Sequence, residues 1–341
     1  MTSFGTRGVI LFWTVIILFA VAALAAWITT FSGSRPQAGA GIGGNGAVVS
    51  LPPAVSGSAD ATSQVADAAA PASTIPAGIP AGDPASLLQP PAAAVPLWQQ
   101  RSVAVAEPAG RPMIAVVIDD LGLDRVGTAR AVALPGPLTM AWLAYADDLQ
   151  TQTAAAIAAG HEMLLHLPME PVDPDNDPGP DALRVGMASS EIRRIVRQGL
   201  ERVPGVVGVN NHMGSRFTAD RAGMVVVLAT IREAELAFVD SRTTGQSVAA
   251  PLAAQFGVAF ASRDVFIDDD RDPAVVAERL ADVERIAREQ GHAIAIGHPV
   301  EVTLDALESW LPGLTERGFV LVPVSAVIRA GQAPPAVATA P

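Results

Sequence analysis

Between Pro112 and Arg329, short apolar runs alternate with longer stretches of mixed polarity. The runs at 113–118, 138–144, 162–166, 205–210, 236–239, 264–267, 293–297 and 319–323 have strand length and are apolar nearly throughout. Strands buried on both faces read in this way, without polar alternation. The intervening stretches at 124–133, 147–159, 189–202, 219–233, 245–256, 273–290 and 303–311 carry apolar positions at helical spacing. Asp272-Pro273 and Ser189 to Glu191 mark helix starts. Strand and helix in alternation predict a parallel sheet, open or closed. Seven or eight strands in so short a segment suit an α/β fold closed into an irregular (β/α) barrel.

The pattern is different before this segment. Val9 to Ile28 is apolar almost without a break, with Arg7 ahead of it and no acid. That length spans a bilayer core as a helix, and the charge bias favours an N-terminus inside. Ala23-Leu24-Ala25 resembles a cleavage site, so a signal peptide is the competing reading. Residues 29–111 are rich in Pro, Ala and Gly and lack periodicity. Such a segment buries too little apolar surface to offset the entropy of ordering. The expected organisation is a cytoplasmic N-terminus at 1–8, a transmembrane anchor at 9–28, a disordered linker at 29–111, a globular domain at 112–329 and a disordered tail at 330–341. A flexible linker of this length averages about 50 Å end to end. The globular domain would then work in the periplasm, tethered to the inner membrane or released from it.

Composition narrows the chemistry. The formal net charge is −12, which argues against nucleic acid as a partner. All 22 basic residues are Arg. With the high Ala content, this reads as compositional bias. Cysteine is absent, so any metal must take His, Asp or Glu ligands.

Those residue types gather at strand ends. The run ending at Ile118 is followed by Asp119-Asp120, and three of the five histidines, His166, His212 and His298, sit where strand-like apolar runs end, His212 after Asn210-Asn211. In parallel α/β folds the ligand site lies at the carboxyl ends of the strands. Two acids and three imidazoles at one rim predict a divalent metal and hydrolytic chemistry. His161 and His292 precede their strands, and across a strand they lie roughly 16–20 Å from His166 and His298. They belong to the opposite rim. Adjacent strand residues face opposite sides, so Asp119 and Asp120 reach one site only if the strand turns there, which Gly122 would permit. One acid would then be a metal ligand and the other a general base. His298, followed by Pro299, suits a general acid. Glu170, four residues past His166, reaches the same site if its loop turns back. Asn210 and Asn211 offer hydrogen-bond donors beside His212. Asp240 either orients a histidine, binds substrate or forms a buried ion pair. Asp268-Asp269-Asp270 resembles a cation site but reads better as the end of a strand and the start of the helix after Pro273, with acids near the N-terminal dipole. Trp142 and Trp310 read as core.

These residues resemble a known family, the divergent polysaccharide deacetylases, an offshoot of the polysaccharide (NodB-like) deacetylase superfamily. The resemblance rests on Ile118-Asp119-Asp120-Leu121-Gly122, on Gly160 to Glu170, on Gly208 to Ser215, on Phe238-Val239-Asp240-Ser241 and on Ala293 to Pro299. It implies an irregular (β/α) barrel that removes acetyl groups from sugar polymers with a divalent metal, commonly zinc. It implies Asp119 as base, Asp120 and His166 as ligands and His298 as general acid. The family's second motif has a histidine where Glu170 stands here, and His212 would supply the missing ligand. Asn210, Asn211, Glu170 and Asp240 would bind substrate, with Asn211 facing the oxyanion. The expected partner is an envelope glycan. The alternatives are a catalytically inactive barrel that binds glycan or an envelope partner, and a metal-dependent hydrolase of another bond.

Overall fold

A computed structural model describes residues 95–332. The expected anchor at 9–28, the linker up to residue 94 and the tail from residue 333 lie outside the described residues. No helix among the described residues is long and apolar enough to cross a membrane.

Nine strands form one sheet: β1 (Met113–Leu121), β2 (Thr139–Leu143), β3 (Glu162–Met169), β4 (Gly208–Met213), β5 (Ala237–Asp240), β6 (Phe260–Ser262), β7 (Val265–Phe266), β8 (His292–Gly297) and β9 (Val320–Leu321). Eight follow the order β6-β5-β4-β3-β2-β1-β8-β7, while β9 pairs with β1 off that path. Every pairing is parallel. The two ends of the path, β6 and β7, are consecutive in the chain. Between them, the Arg263 N–H donates to Asp240 O and the Asp264 N–H to Ile294 O. One short run thus bridges β5 and β8, and the sheet curls round on itself. The β6 segment escapes the sequence pattern because its three residues are only partly buried and are too few to make a run.

The helices follow the expected positions: α2 (Arg125–Val132), α3 (Leu149–Ala158), α4 (Ser189–Arg202), α5 (Arg221–Glu233), α6 (Ala249–Phe256), α7 (Pro273–Gln290) and α8 (Glu301–Trp310). Asp272 starts α7, its carboxylate accepting the Ala274 N–H with Pro273 pre-set for the first turn.

Two cores explain the unbroken apolar strands. Ile114, Val116 and Ile118 face the helices. Ala115, Val117, Ala141, Leu164, Val207, Ala237, Val239, Ile294 and Ile296 fill the interior. Two further helices close the amino-terminal end of that interior. One, α9 (Val324–Gln332), buries Val324, Val327 and Ile328 and runs past the expected domain limit at Arg329. The other, α1 (Leu97–Gln100), belongs to the segment expected to be linker, yet Trp98 is 3% exposed and packs in the same cluster. A single buried indole outweighs a local Pro/Ala composition because it removes a large apolar area from water.

Candidate metal and catalytic site

The carboxyl ends of β1, β3, β4 and β8 meet at one mouth. Asp119 and Asp120 reach it together because β1 breaks its register against β2: Ile118 pairs with Met140, but Leu121 pairs with Trp142. One extra residue is accommodated there, and Asp120 takes a left-handed backbone, φ 59°. A bulge of this kind re-aims side chains, and it puts two consecutive carboxylates on one side. Gly122 takes a positive φ of 110° in the turn, as expected, and Asp120 adds a left-handed residue two positions earlier.

Three side chains converge. Asp120 Oδ1 lies 2.8 Å from His212 Nδ1 and 3.2 Å from His166 Nε2. The two ring nitrogens are 3.2 Å apart. Asp120 Oδ1 is buried, yet it accepts no hydrogen bond of good geometry. The tautomer of His166 follows from its neighbours. Asn210 Nδ2 donates to Asp119 Oδ1 (2.7 Å) and Ser241 Oγ (3.3 Å), so its Oδ1 accepts the His166 Nδ1–H at 2.9 Å. His166 Nε2 therefore presents a lone pair to the centre. Lone pairs at such range need a proton or a cation between them. Donor atoms about 2.0–2.2 Å from one cation stand roughly 2.8–3.6 Å from each other at bond angles of about 90–110°, so the residues fit a divalent metal. Among the described residues, Asp120, His166 and His212 are the group able to hold one.

The electrostatics also favour positive charge at the centre. Burial opposes charge on His166, but Asp119 and Asp120 outweigh it and raise its pKa. Burial would raise Asp120, yet the rings of His166 and His212 hold it well below the usual carboxylate range. Asp119 is buried and pushed up by desolvation, more than His166 and His298 pull it down.

His298 stands on the far side of Asp120, its Nε2 3.7 Å from Asp120 Oδ2. The Asp268 carboxylate orients it, with Oδ1 2.9 Å from His298 Nδ1 and Oδ2 accepting the His298 backbone N–H at 2.7 Å. Thr303 Oγ donates to the same oxygen at 2.6 Å. Burial disfavours the charged ring, but Asp268 prevails and pushes the His298 pKa up to about 9. Phe266 packs edge-on against the ring. Asp268 was expected to begin the following helix, and Asp272 caps that helix instead. Asp268 ends the apolar run Val265-Phe266-Ile267, as expected, and what the sequence did not reveal is its pairing with His298.

Other expectations are corrected by the hydrogen bonds. Glu170 does not join the centre: its carboxylate accepts Val185 N–H (2.7 Å) and pairs with Arg216 (3.1 Å). Asn210 is fully buried between His166 and Asp119, so it orients both and faces no substrate. Asn211 donates to Met213 O and accepts the Ser241 N–H, so its amide ties the loops after β4 and β5 together. Asp240 orients no histidine; it accepts Arg242 N–H (2.8 Å) and Ser247 Oγ–H (2.7 Å). His161 is buried at the opposite end, accepting Leu138 N–H at Nδ1, with Nε2 3.0 Å from Val132 O. His292 opens β8 at that end too. Trp142 is core, as expected.

Comparison with known proteins agrees with this geometry. The sequence model described as divergent polysaccharide deacetylase matches residues 116–328. The chain belongs to this family. Two relatives are themselves uncharacterized. YibQ of Escherichia coli (strain K12) is 34% identical over 212 residues, covering 62% of this chain and 66% of that protein, a little under two thirds of its length. A protein of Haemophilus influenzae (strain ATCC 51907 / DSM 11121 / KW20 / Rd) is 35% identical over 205 residues, 60% of this chain and 72% of that one. Among solved structures, the uncharacterized protein ATU2773 from Agrobacterium tumefaciens C58 superposes with a TM-score of 0.66 at 29% identity, over 68% of this chain and 95% of that one. The divergent deacetylase domain thus carries the whole mouth, from Asp119 to His298.

Proposed function

We propose that the protein is a metal-dependent hydrolase that removes acetyl groups from an N-acetylated envelope glycan. The observation that carries this reading is the convergence of Asp120 Oδ1, His166 Nε2 and His212 Nδ1, with Asp119 and His298 to either side. A divalent ion held by Asp120, His166 and His212, zinc by preference for this nitrogen and oxygen set, would supply Lewis acidity to the acetamide carbonyl and to water. Asp119, steadied by the Asn210 amide, takes the proton of the attacking water as general base. His298, charged and held by Asp268, gives a proton to the departing amine as general acid. Asn210 sets the ring plane of His166, the kind of supporting contact that tunes a ligand. The anchor expected at 9–28 would hold this domain on the periplasmic side of the inner membrane.

The test joins metal content to turnover. Purified full-length chain should carry about one zinc per molecule and release acetate from chitooligosaccharides. Asp120→Ala should lose both, and His298→Ala should lose turnover while keeping the metal. Glycan binding by a zinc-loaded chain without acetate release would replace this reading with the inactive glycan-binding one.

A further inference from the structure

Asn211 and Asp240, freed from the roles the sequence implied, both serve the loop that follows β5. Asn211 Oδ1 accepts the Ser241 N–H. Asp240 accepts the Arg242 N–H and the Ser247 hydroxyl. Thr243 Oγ1 donates to Met213 O. Arg263 donates from Nε to Ser241 O (2.7 Å) and from Nη2 to Arg242 O (2.9 Å). The residue so held is Arg242, at φ 49°. A left-handed backbone at a residue with a Cβ persists only where its surroundings over-determine it, and such positions cluster at functional sites.

The Arg242 side chain is exposed, and among the described residues only its backbone groups are engaged. It lines a cleft of about 280 Å³ with Thr244, Gly245, Arg263 and Asp264. Arg263 donates to carbonyls and leaves Nη1 without a partner. Asp264 gives one carboxylate oxygen to the Ile294 N–H. Two guanidinium groups therefore outnumber the one carboxylate in this cleft, in a chain whose net charge is −12. One side chain, Phe266, stands between the Arg263 edge of the cleft and His298. The Arg263 guanidinium lies 4.9 Å over the Phe266 ring, and that ring packs on His298 with centroids 5.4 Å apart. On its other side, Ser241 Oγ accepts from the Asn210 amide that holds Asp119.

We propose that Arg242 and Arg263 form an anion subsite beside the metal centre, so that the substrate is an acidic glycan bearing a carboxylate or phosphate near the acetamido group to be hydrolysed. This rests on the deacetylase reading and adds the substrate class to it. The planar Arg242 fork matches either anion bidentately, and Arg263 adds the charge and the Nη1 donors that a neutral rim lacks.

Three oligosaccharides of equal length test it: a neutral chitooligosaccharide, a carboxylated form and a phosphorylated form. Each is titrated calorimetrically into zinc-loaded full-length chain and also assayed for acetate release. The wild type should bind one acidic form about 10-fold or more tighter than the neutral one, as charge-assisted bidentate contacts predict. The tighter of the two names the anion. Arg242→Ala should bring the ratio to about one, and Arg242→Lys should keep part of it, since the charge stays but the fork is lost. Zinc content and melting temperature report whether each variant is folded. Equal binding of all three by the wild type, or an unchanged ratio in both variants, overturns the subsite whether or not acetate appears. An Arg242-dependent preference with no acetate from any glycan overturns the deacetylase reading and leaves the subsite standing.

Discussion

At the residue scale, the candidate metal site is a matter of which lone pairs face inward. Asn210 decides this for His166 by accepting its Nδ1–H. Removing such a supporting contact typically costs about 10–100-fold in metal affinity or activity. Asn210→Ala should therefore lower zinc affinity by that order in a chelator competition. Glu170→Ala should leave the affinity unchanged, since its carboxylate is tied to Val185 and Arg216. If the two variants exchange these results, Glu170 is a ligand after all. Asp268→Asn removes the partner of His298, and loss of a positioned acid typically costs about 10²–10⁴-fold in rate. Acetate release should fall on that scale while zinc content stays at the wild-type level. Asp119, Asp120, His166, His212 and His298 were legible from residue type and strand-end position. Their neighbours were not, because Asn, Asp and Glu have many partners available and only the fold selects one.

At the scale of elements, the apolar runs located most strands and helices because burial on both faces leaves a continuous signal. Contacts between elements left none. Glu162 opens β3 at the closed end and reaches the start of α9, where it accepts the Ser325 N–H (3.0 Å) and the Ser325 hydroxyl. Thr139 Oγ1 accepts the adjacent Val324 N–H. Burial pushes the Glu162 pKa up to about 6, above its ordinary 4.5, despite the Ser325 hydrogen bonds. The folded state thus holds this proton more tightly than the unfolded chain does. The stability it contributes is complete below pH 4.5 and is lost as pH rises through 6. The loss amounts to roughly 2 kcal/mol. In denaturant titrations between pH 4.5 and 7.5, the wild type should lose about that much relative to Glu162→Gln. Parallel stability curves for the two proteins would contradict a buried, titrating carboxyl at this joint.

At the scale of the whole molecule, segments far apart in sequence complete one interior. Trp98 and α9 close the end opposite the metal site, and β6 with β7 bridges the two sides of the sheet. Truncating a fully buried Trp in a core costs about 3–5 kcal/mol. Trp98→Ala should lower the melting temperature accordingly, with zinc binding at the far mouth retained. A melting temperature equal to the wild type would mean that residues 95–111 are a passive linker. Residues 113–118 and 293–297 announce buried parallel strands whatever surrounds them, since period and apolarity are properties of the local sequence. Strand-end chemistry follows from them, because a parallel sheet gathers its carboxyl ends at one rim. The left-handed turn at Asp120, the pairing of His298 with Asp268 and the use of Asn211 and Asp240 to hold Arg242 depend on atoms 30 or more residues apart in several cases. Such contacts arise only once the curled sheet has brought those atoms within hydrogen-bonding range, and no pattern along the chain records them.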